Sequence, residues 1–196
     1  MVYPKSFQKL IKNFSSLPSI GPKHAERLVL FLFKKSQEDI KDFSENLLDI
    51  KNLQFCKRCH NISEGDICQI CANAKRDQKT VCVVEDPLDV ISIERTHAYH
   101  GVYHVLGGVI TATEKDDSLK IPDLFERIKK EGIAEIILAT NPTTEGDMTS
   151  LYLKRKLHPL GVKITRLGRG LSTGADLEYA DELTLSEALT NRKELL

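Results

Sequence analysis

Apolar positions recur at helical spacing through the first quarter of the chain and contract into short runs beyond residue 80. Phe7, Leu10, Ile11 and Phe14 fall at i, i+3, i+4 and i+7, one apolar stripe of a first helix. The breaker-rich segment Ser15-Ser16-Leu17-Pro18-Ser19-Ile20-Gly21-Pro22 ends it. A second helix is predicted from about Pro22, with Ala25, Leu28, Val29 and Leu32 on its inner face. Proline suits the first helical position because the missing N–H has no partner there anyway. A third helix is predicted after the acid-rich cap Ser36-Gln-Glu-Asp39, with Phe43, Leu47 and Ile50 as its stripe.

From Thr80 the pattern changes. Val81–Val84, Ile136–Ala139 and Val162–Arg166 read as short buried strands, with a weaker one near Val102–Leu106. Helical patterns lie between them at about 87–94, 122–131 and 148–157. The second of these has Pro122 at its start and Gly132 just past its end. Alternating strand and helix implies a mostly parallel sheet covered by helices. Past Arg166 the chain is glycine-rich, and it is predicted to end in a short strand near 182–185 and a helix from about Ser186.

The 196 residues are 41% hydrophobic and 29% charged, ordinary for a globular protein. The longest apolar run, Leu28 to Phe33, is far too short to span a membrane. The N-terminus has no apolar stretch of signal-peptide length, so the expected setting is cytoplasmic. Net charge is zero, but it is unevenly spread. Residues 1–79 carry 14 Lys+Arg against 9 Asp+Glu, and residues 80–196 carry 14 against 19. A basic first part suits polyanions, and an acidic second part suits metals or basic proteins.

Four cysteines bring in the first chemistry. Cys56-Lys-Arg-Cys59 and Cys68-Gln-Ile-Cys71 are two C-x-x-C knuckles close together. Two thiolates on each turn complete a tetrahedron of sulfur, the preferred surrounding of structural Zn²⁺, with no position open for water. The alternative, two disulfides, needs an oxidising compartment. The fifth cysteine, Cys82, lies in an apolar run and reads as a small buried hydrophobe. Lys57 and Arg58 sit on the first knuckle, and scaffolding is the favoured reading of this module.

The segment Leu17 to Leu28 resembles a helix-hairpin-helix motif, in which backbone N–H groups at a helix start hold a phosphate without reading bases. Gly21 belongs to the hairpin, and Lys23 and Arg27 lie four apart on one helical face beside it. The motif usually has a glycine where this chain has Ser19, so the first turn is expected to be less regular. A plain helix–loop–helix packing unit is the alternative.

Two acidic clusters follow strands. Glu85, with Asp86 and Asp89, follows Val81–Val84; Asn141-Pro-Thr-Thr-Glu145-Gly-Asp147 follows Ile136–Ala139. Ligands of open α/β sheets bind beyond the carboxyl ends of the strands. The arrangement resembles a Toprim domain, which places a Glu after one strand and an Asp-x-Asp after another to hold Mg²⁺ for phosphoryl transfer. Glu85 fits the first place, but Asn141 and Thr143 stand at the second, and only Glu145 and Asp147 further along the loop supply charge. Asn and Thr are weak Mg²⁺ partners, so at most weak Mg²⁺ binding and no intact two-metal site are expected. A solvated acidic rim is the bland alternative. Tyr99, Tyr103, Tyr152 and Tyr179 read as packing or surface residues rather than nucleophiles. The glycines from Gly168 to Gly174 lack the Gly-Lys-Ser/Thr ending of a Walker A loop, and this stretch reads as a structured turn region with possible interface roles.

The order of these parts resembles the bacterial RecR family of recombination mediators across nearly the whole chain. The resemblance rests on Cys56–Cys71, Val83-Val84-Glu85-Asp86-Pro87, Ala139 to Asp147 and Gly170-Leu-Ser-Thr-Gly174. It implies a helix-hairpin-helix DNA-binding domain at 1–54, a four-cysteine zinc finger at 55–72, a Toprim-like parallel α/β domain at 79–174 and a strand/helix tail at 175–196. It implies Zn²⁺ on Cys56, Cys59, Cys68 and Cys71. It further implies DNA contact through Gly21, Lys23 and Arg27, and an acidic partner-binding patch of Glu85, Asp89, Glu145 and Asp147. The implied role is non-enzymatic. Such proteins bind single- and double-stranded DNA without sequence preference and assemble as dimers and ring-like tetramers. With RecF and RecO they help RecA displace single-strand-binding protein. The rival readings are a Mg²⁺-dependent nuclease or primase-like phosphoryl transferase, and a structural adaptor that never touches DNA.

Overall fold

Three helices open the chain, and a parallel sheet follows. The computed structural model describes residues 3–111 and 119–194. It divides at Leu53/Gln54 into two compact units.

The first unit holds α1 (Lys5–Ser15), α2 (Pro22–Phe33) and α3 (Gln37–Asp49). Helix starts follow local chemistry. Pro22 occupies the first position of α2 after Gly21, and the Ser36 hydroxyl accepts from Asp39 N at 3.0 Å to start α3. Ala25 and Val29, one turn apart on α2, are buried. The α3 stripe forms a helix as expected, yet Phe43, Leu47 and Ile50 remain 46%, 57% and 56% exposed. Periodicity specifies a helix and its apolar face, but not what covers that face.

The second unit begins with a small antiparallel pair, β1 (Gln54–Phe55) and β2 (Ile62–Ser63), and the short helix α4 (Gln69–Ala72). Then come β3 (Asp77–Val84), α5 (Pro87–Glu94), β4 (Gly101–Val105), α6 (Ile121–Glu131), β5 (Glu135–Leu138), α7 (Thr144–Leu157), β6 (Lys163–Arg166) and α8 (Glu182–Thr190). Strands β3 to β6 form one parallel sheet in the order β4-β3-β5-β6. Val81, Val83, Val102, Leu106 and Ile136 pack with Leu124 of α6 and Leu153 and Leu157 of α7 into the main core. Cys82, Val84, Val90, Tyr103 and Val105 form a second cluster, so Cys82 is a buried hydrophobe as expected, its thiol pushed up to about 12 by burial.

Two element boundaries differ from the sequence reading. α7 begins at Thr144 rather than near 148, because the Thr143 hydroxyl caps it by accepting from Gly146 N at 3.0 Å. Glu145 and Asp147 therefore stand on a helical turn and not on a loop. The strand expected near 182–185 is helical, because Asp181 caps α8 through Thr184 N at 2.8 Å. Among the described residues no helix is long and apolar enough to cross a membrane.

Candidate functional site

The strand order places β3 at a reversal: the chain runs from β3 to β4 on one side and returns to β5 on the other. The crevice beyond the carboxyl ends of β3 and β5 is therefore a topological switch point, where α/β sheets bind ligands. Glu85 leaves β3 there, and Asn141 follows β5. The Asn141 backbone N–H donates to Glu85 Oε1 at 2.7 Å, and the Asn141 side-chain amide donates to Oε2 at 2.7 Å. Both carboxylate oxygens are thus held by one residue. Gly146 makes room for this pair: a Cβ there would stand 2.2 Å from the Asn141 carbonyl and 2.9 Å from Glu85 Oε1.

The other acids of the expected patch have different surroundings. Asp89 Oδ2 accepts from Asp86 N at 2.9 Å, and Asp86 Oδ1 accepts from Leu88 N at 2.8 Å, so the two close a reciprocal cap on α5. Asp147 is gripped by Arg169, 3.0 Å from its Oδ2 and hydrogen-bonded to Oδ1 as well, and by Arg166. Hydrogen bonds from Arg169, and then from Arg166, outweigh partial burial and hold the Asp147 carboxyl at about 2. Glu145 lies exposed in the first turn of α7. Both Glu85 oxygens and both Asp147 oxygens already accept charge-stabilising hydrogen bonds, a donor set that fits a hard cation such as Mg²⁺ poorly. The Arg166–Arg169 clamp was not legible in sequence, where that segment read only as a turn region. In sequence Asn141 marks only a missing acid; the bond to Glu85 is visible only in the fold.

The cysteines gather as spacing demanded. The four sulfurs lie within 4.8 Å of one another, all on buried residues, and the Cys59 and Cys68 sulfurs are 3.5 Å apart. A tetrahedron with Zn–S bonds of about 2.3 Å separates its sulfurs by about 3.8 Å, so the cage has the right size. Cys56 Sγ accepts from Cys68 N at 3.3 Å and Cys68 Sγ from Cys71 N at 3.5 Å, bonds that favour thiolates. Four buried sulfurs at this spacing form the donor set of a tetrahedral structural Zn²⁺, which Cys56, Cys59, Cys68 and Cys71 would hold.

The finger is tied to the sheet domain. Val105 N donates to the Cys59 carbonyl at 2.8 Å. Arg58 donates twice to Glu131 of α6, at 2.9 and 2.8 Å, and once each to the Cys71 carbonyl and Gln78. Glu131 also accepts from Arg127 at 3.0 Å, whose guanidinium is buried and donates to the Tyr103 carbonyl at 2.6 Å. Lys57 pairs with Asp66 at 2.6 Å. Both knuckle cations are thus engaged within the protein.

In the first unit the hairpin runs from Ser16 to Gly21, with Ile20 N donating to the Leu17 carbonyl at 3.2 Å. Ser19 has φ +64°, the left-handed conformation that a glycine adopts without strain. Ser19 thus takes at this position the backbone conformation that favours glycine. Among the described residues no side chain caps the start of α2; Pro22 has no N–H and His24 N donates to the Gly21 carbonyl at 3.0 Å, so of the first three positions Lys23 offers the backbone N–H, with the exposed Lys23 and Arg27 side chains beside it. A Cβ on Gly21 would meet none of the described atoms within 4 Å, which leaves the hairpin open to an approaching anion.

Four family models match the chain in succession: the RecR helix-hairpin-helix over residues 7–51, the RecR four-cysteine zinc finger domain over 53–73, the Toprim domain over 79–168 and the RecR C-terminal region over 170–193. Two relatives, each a "Recombination protein RecR" from Staphylococcus aureus strains Mu3 and Mu50, are 46% identical over 198 aligned positions, covering 100% of both chains.

Proposed function

This chain belongs to the RecR family of recombination proteins, and we propose that it acts in recombinational DNA repair as a non-catalytic mediator. In this reading the hairpin holds DNA by its phosphates, through the Lys23 backbone N–H at the positive start of α2 and the charges of Lys23 and Arg27. Binding is then salt-sensitive and indifferent to sequence, for single and double strands alike. Zn²⁺ on Cys56, Cys59, Cys68 and Cys71 holds the finger's shape and does no chemistry. Glu85, Asp89, Glu145 and Asp147 form an acidic rim for basic partner proteins. RecO and RecF are the partners with which the protein helps load RecA onto strands coated by single-strand-binding protein.

The observation that carries the non-catalytic reading is the Glu85–Asn141 pair. Metal-assisted phosphoryl transfer needs carboxylates converging on one ion. Here the first acid is occupied by the amide that stands in the place of the second. Self-assembly into dimers and ring-like tetramers is supported by apolar side chains left exposed in both units, including Phe33 at 77%, Leu48 at 71% and Tyr179 at 82%.

Binding and cleavage assayed together test the proposal. Labelled single- and double-stranded DNA are titrated at rising salt, and plasmid and gapped DNA are incubated with Mg²⁺ and then Mn²⁺. The expected result is salt-sensitive binding and no product. A metal-dependent product that disappears in Glu85→Gln would make the protein an enzyme and overturn the reading.

A further inference from the structure

The last two turns of α7 carry an exposed cationic face that neither the crevice nor the hairpin uses. Leu151, Lys154, Arg155 and His158 fall at i, i+3, i+4 and i+7 and line an open cleft of about 370 Å³. All four are exposed, Leu151 by 62%. Basic residues in a last turn are expected on the ground of the helix dipole alone. α6 ends the same way, with Lys129 and Lys130. There, however, Lys130 is paired with Glu126 at 3.0 Å. In the second unit Arg58, Arg76, Arg127, Lys163, Arg166 and Arg169 are likewise held by carboxylates. Lys154 and Arg155 have no ion pair among the described residues. Their neighbour Lys156 lies over the Tyr152 ring, 5.6 Å from its centroid, and so turns off this face.

We propose that this face of α7 is a second nucleic-acid contact, with Lys154 and Arg155 each binding a phosphate of a DNA backbone. The inference rests on the DNA-binding reading above and extends it to a different element. Cations free of carboxylate partners can neutralise phosphates and release the counterions condensed on the DNA, which is the source of affinity in such contacts. Leu151 gives the cleft an apolar floor against which a sugar or base edge can rest.

The test is a salt titration of DNA affinity by fluorescence anisotropy, on the full chain, with labelled single-stranded and duplex probes of one length. Lys154→Gln/Arg155→Gln is compared with wild type, with Lys23→Gln/Arg27→Gln and with the charge-matched Lys129→Gln/Lys130→Gln. Loss of two phosphate contacts lowers the slope of log K against log[salt] by about 1.4 on single strands or about 1.8 on duplex, and weakens binding roughly tenfold at low salt. A loss confined to one probe identifies which form of DNA the face holds. The α6 control keeps the wild-type slope, and Lys154→Arg/Arg155→Lys restores it, with melting temperatures unchanged throughout. If the hairpin variant weakens binding while the α7 variant keeps affinity and slope, the proposal is overturned and the mediator reading stands; the face would then serve an acidic protein. If wild type binds neither probe at low salt, both fail together.

Discussion

Asn141 binds Glu85 through two donors at once, its backbone N–H and its side-chain amide, each at 2.7 Å from a different carboxylate oxygen. In the proposed reading the amide takes the place of a Toprim acid, and it changes the sign of the interaction. Two carboxylates across this crevice would repel and require a cation. A carboxylate and an amide close it without one.

Asn141→Asp tests that exchange. Two acids then face each other across the switch point, and one good hydrogen bond to a charged group is lost. The expected cost is about 1–2 kcal/mol at neutral pH, read as a lower melting temperature. Millimolar Mg²⁺ recovers part of it in the variant but leaves wild type unmoved. A variant as stable as wild type without Mg²⁺ would show that the pair contributes little.

Glu131 makes stability depend on acid. Burial pushes this carboxyl up, yet hydrogen bonds from Arg58 and Arg127 outweigh it and hold it below the usual carboxylate range. A depressed folded-state value contributes stability at pH above the ordinary glutamate range, which is lost as pH falls through the folded value. Glu131→Gln is expected to cost about 2 kcal/mol at pH 7, less than a fully buried pair because the group is partly exposed. The difference between variant and wild type should shrink below about pH 4. A pH-independent difference in denaturant midpoints would locate the effect in packing.

Ser19 carries strain that a single substitution removes. A non-glycine residue in the left-handed region costs about 1–2 kcal/mol, and glycine gives back about 0.5–1 kcal/mol of that in chain entropy. Ser19→Gly is therefore expected to stabilise the hairpin by up to about 1 kcal/mol. Slower hydrogen exchange at the α2 amides measures it, with DNA affinity at least retained. Ser19→Val should move both the other way.

Cys71→Ser removes one arm of the sulfur cage. Metal binding and folding are coupled in such sites. The expected outcome is a zinc content near zero by metal analysis, and a melting temperature lowered to that of wild type treated with a strong chelator. An unaltered melting curve with no zinc would separate the metal from the stability of the finger and of the Arg58–Glu131 link.

Local chemistry was legible in the chain itself. The 3.6-residue apolar repeats marked α1, α2 and α3, and the β-branched runs marked the strands of the parallel sheet. The paired C-x-x-C knuckles marked the metal cage, because a tight turn brings its two sulfurs together whatever surrounds it. Helix starts were less legible where the cap is a lone Thr143 or Asp181, since one hydroxyl or carboxylate can serve a turn as well as a helix.

Tertiary structure decided what each side chain faces. Glu85 and Asn141 are 56 positions apart, and only the adjacent pairing of β3 with β5 brings them together. Arg58 meets Glu131 across 73 positions in the same way. Asp147 reads as a free acid in sequence and is a clamped one in space, because the end of β6 delivers Arg166 and Arg169 to it. Sequence periodicity records the backbone's repeat, a local property. Partner choice depends on strand order and register, which arise when the whole sheet buries its apolar faces at once.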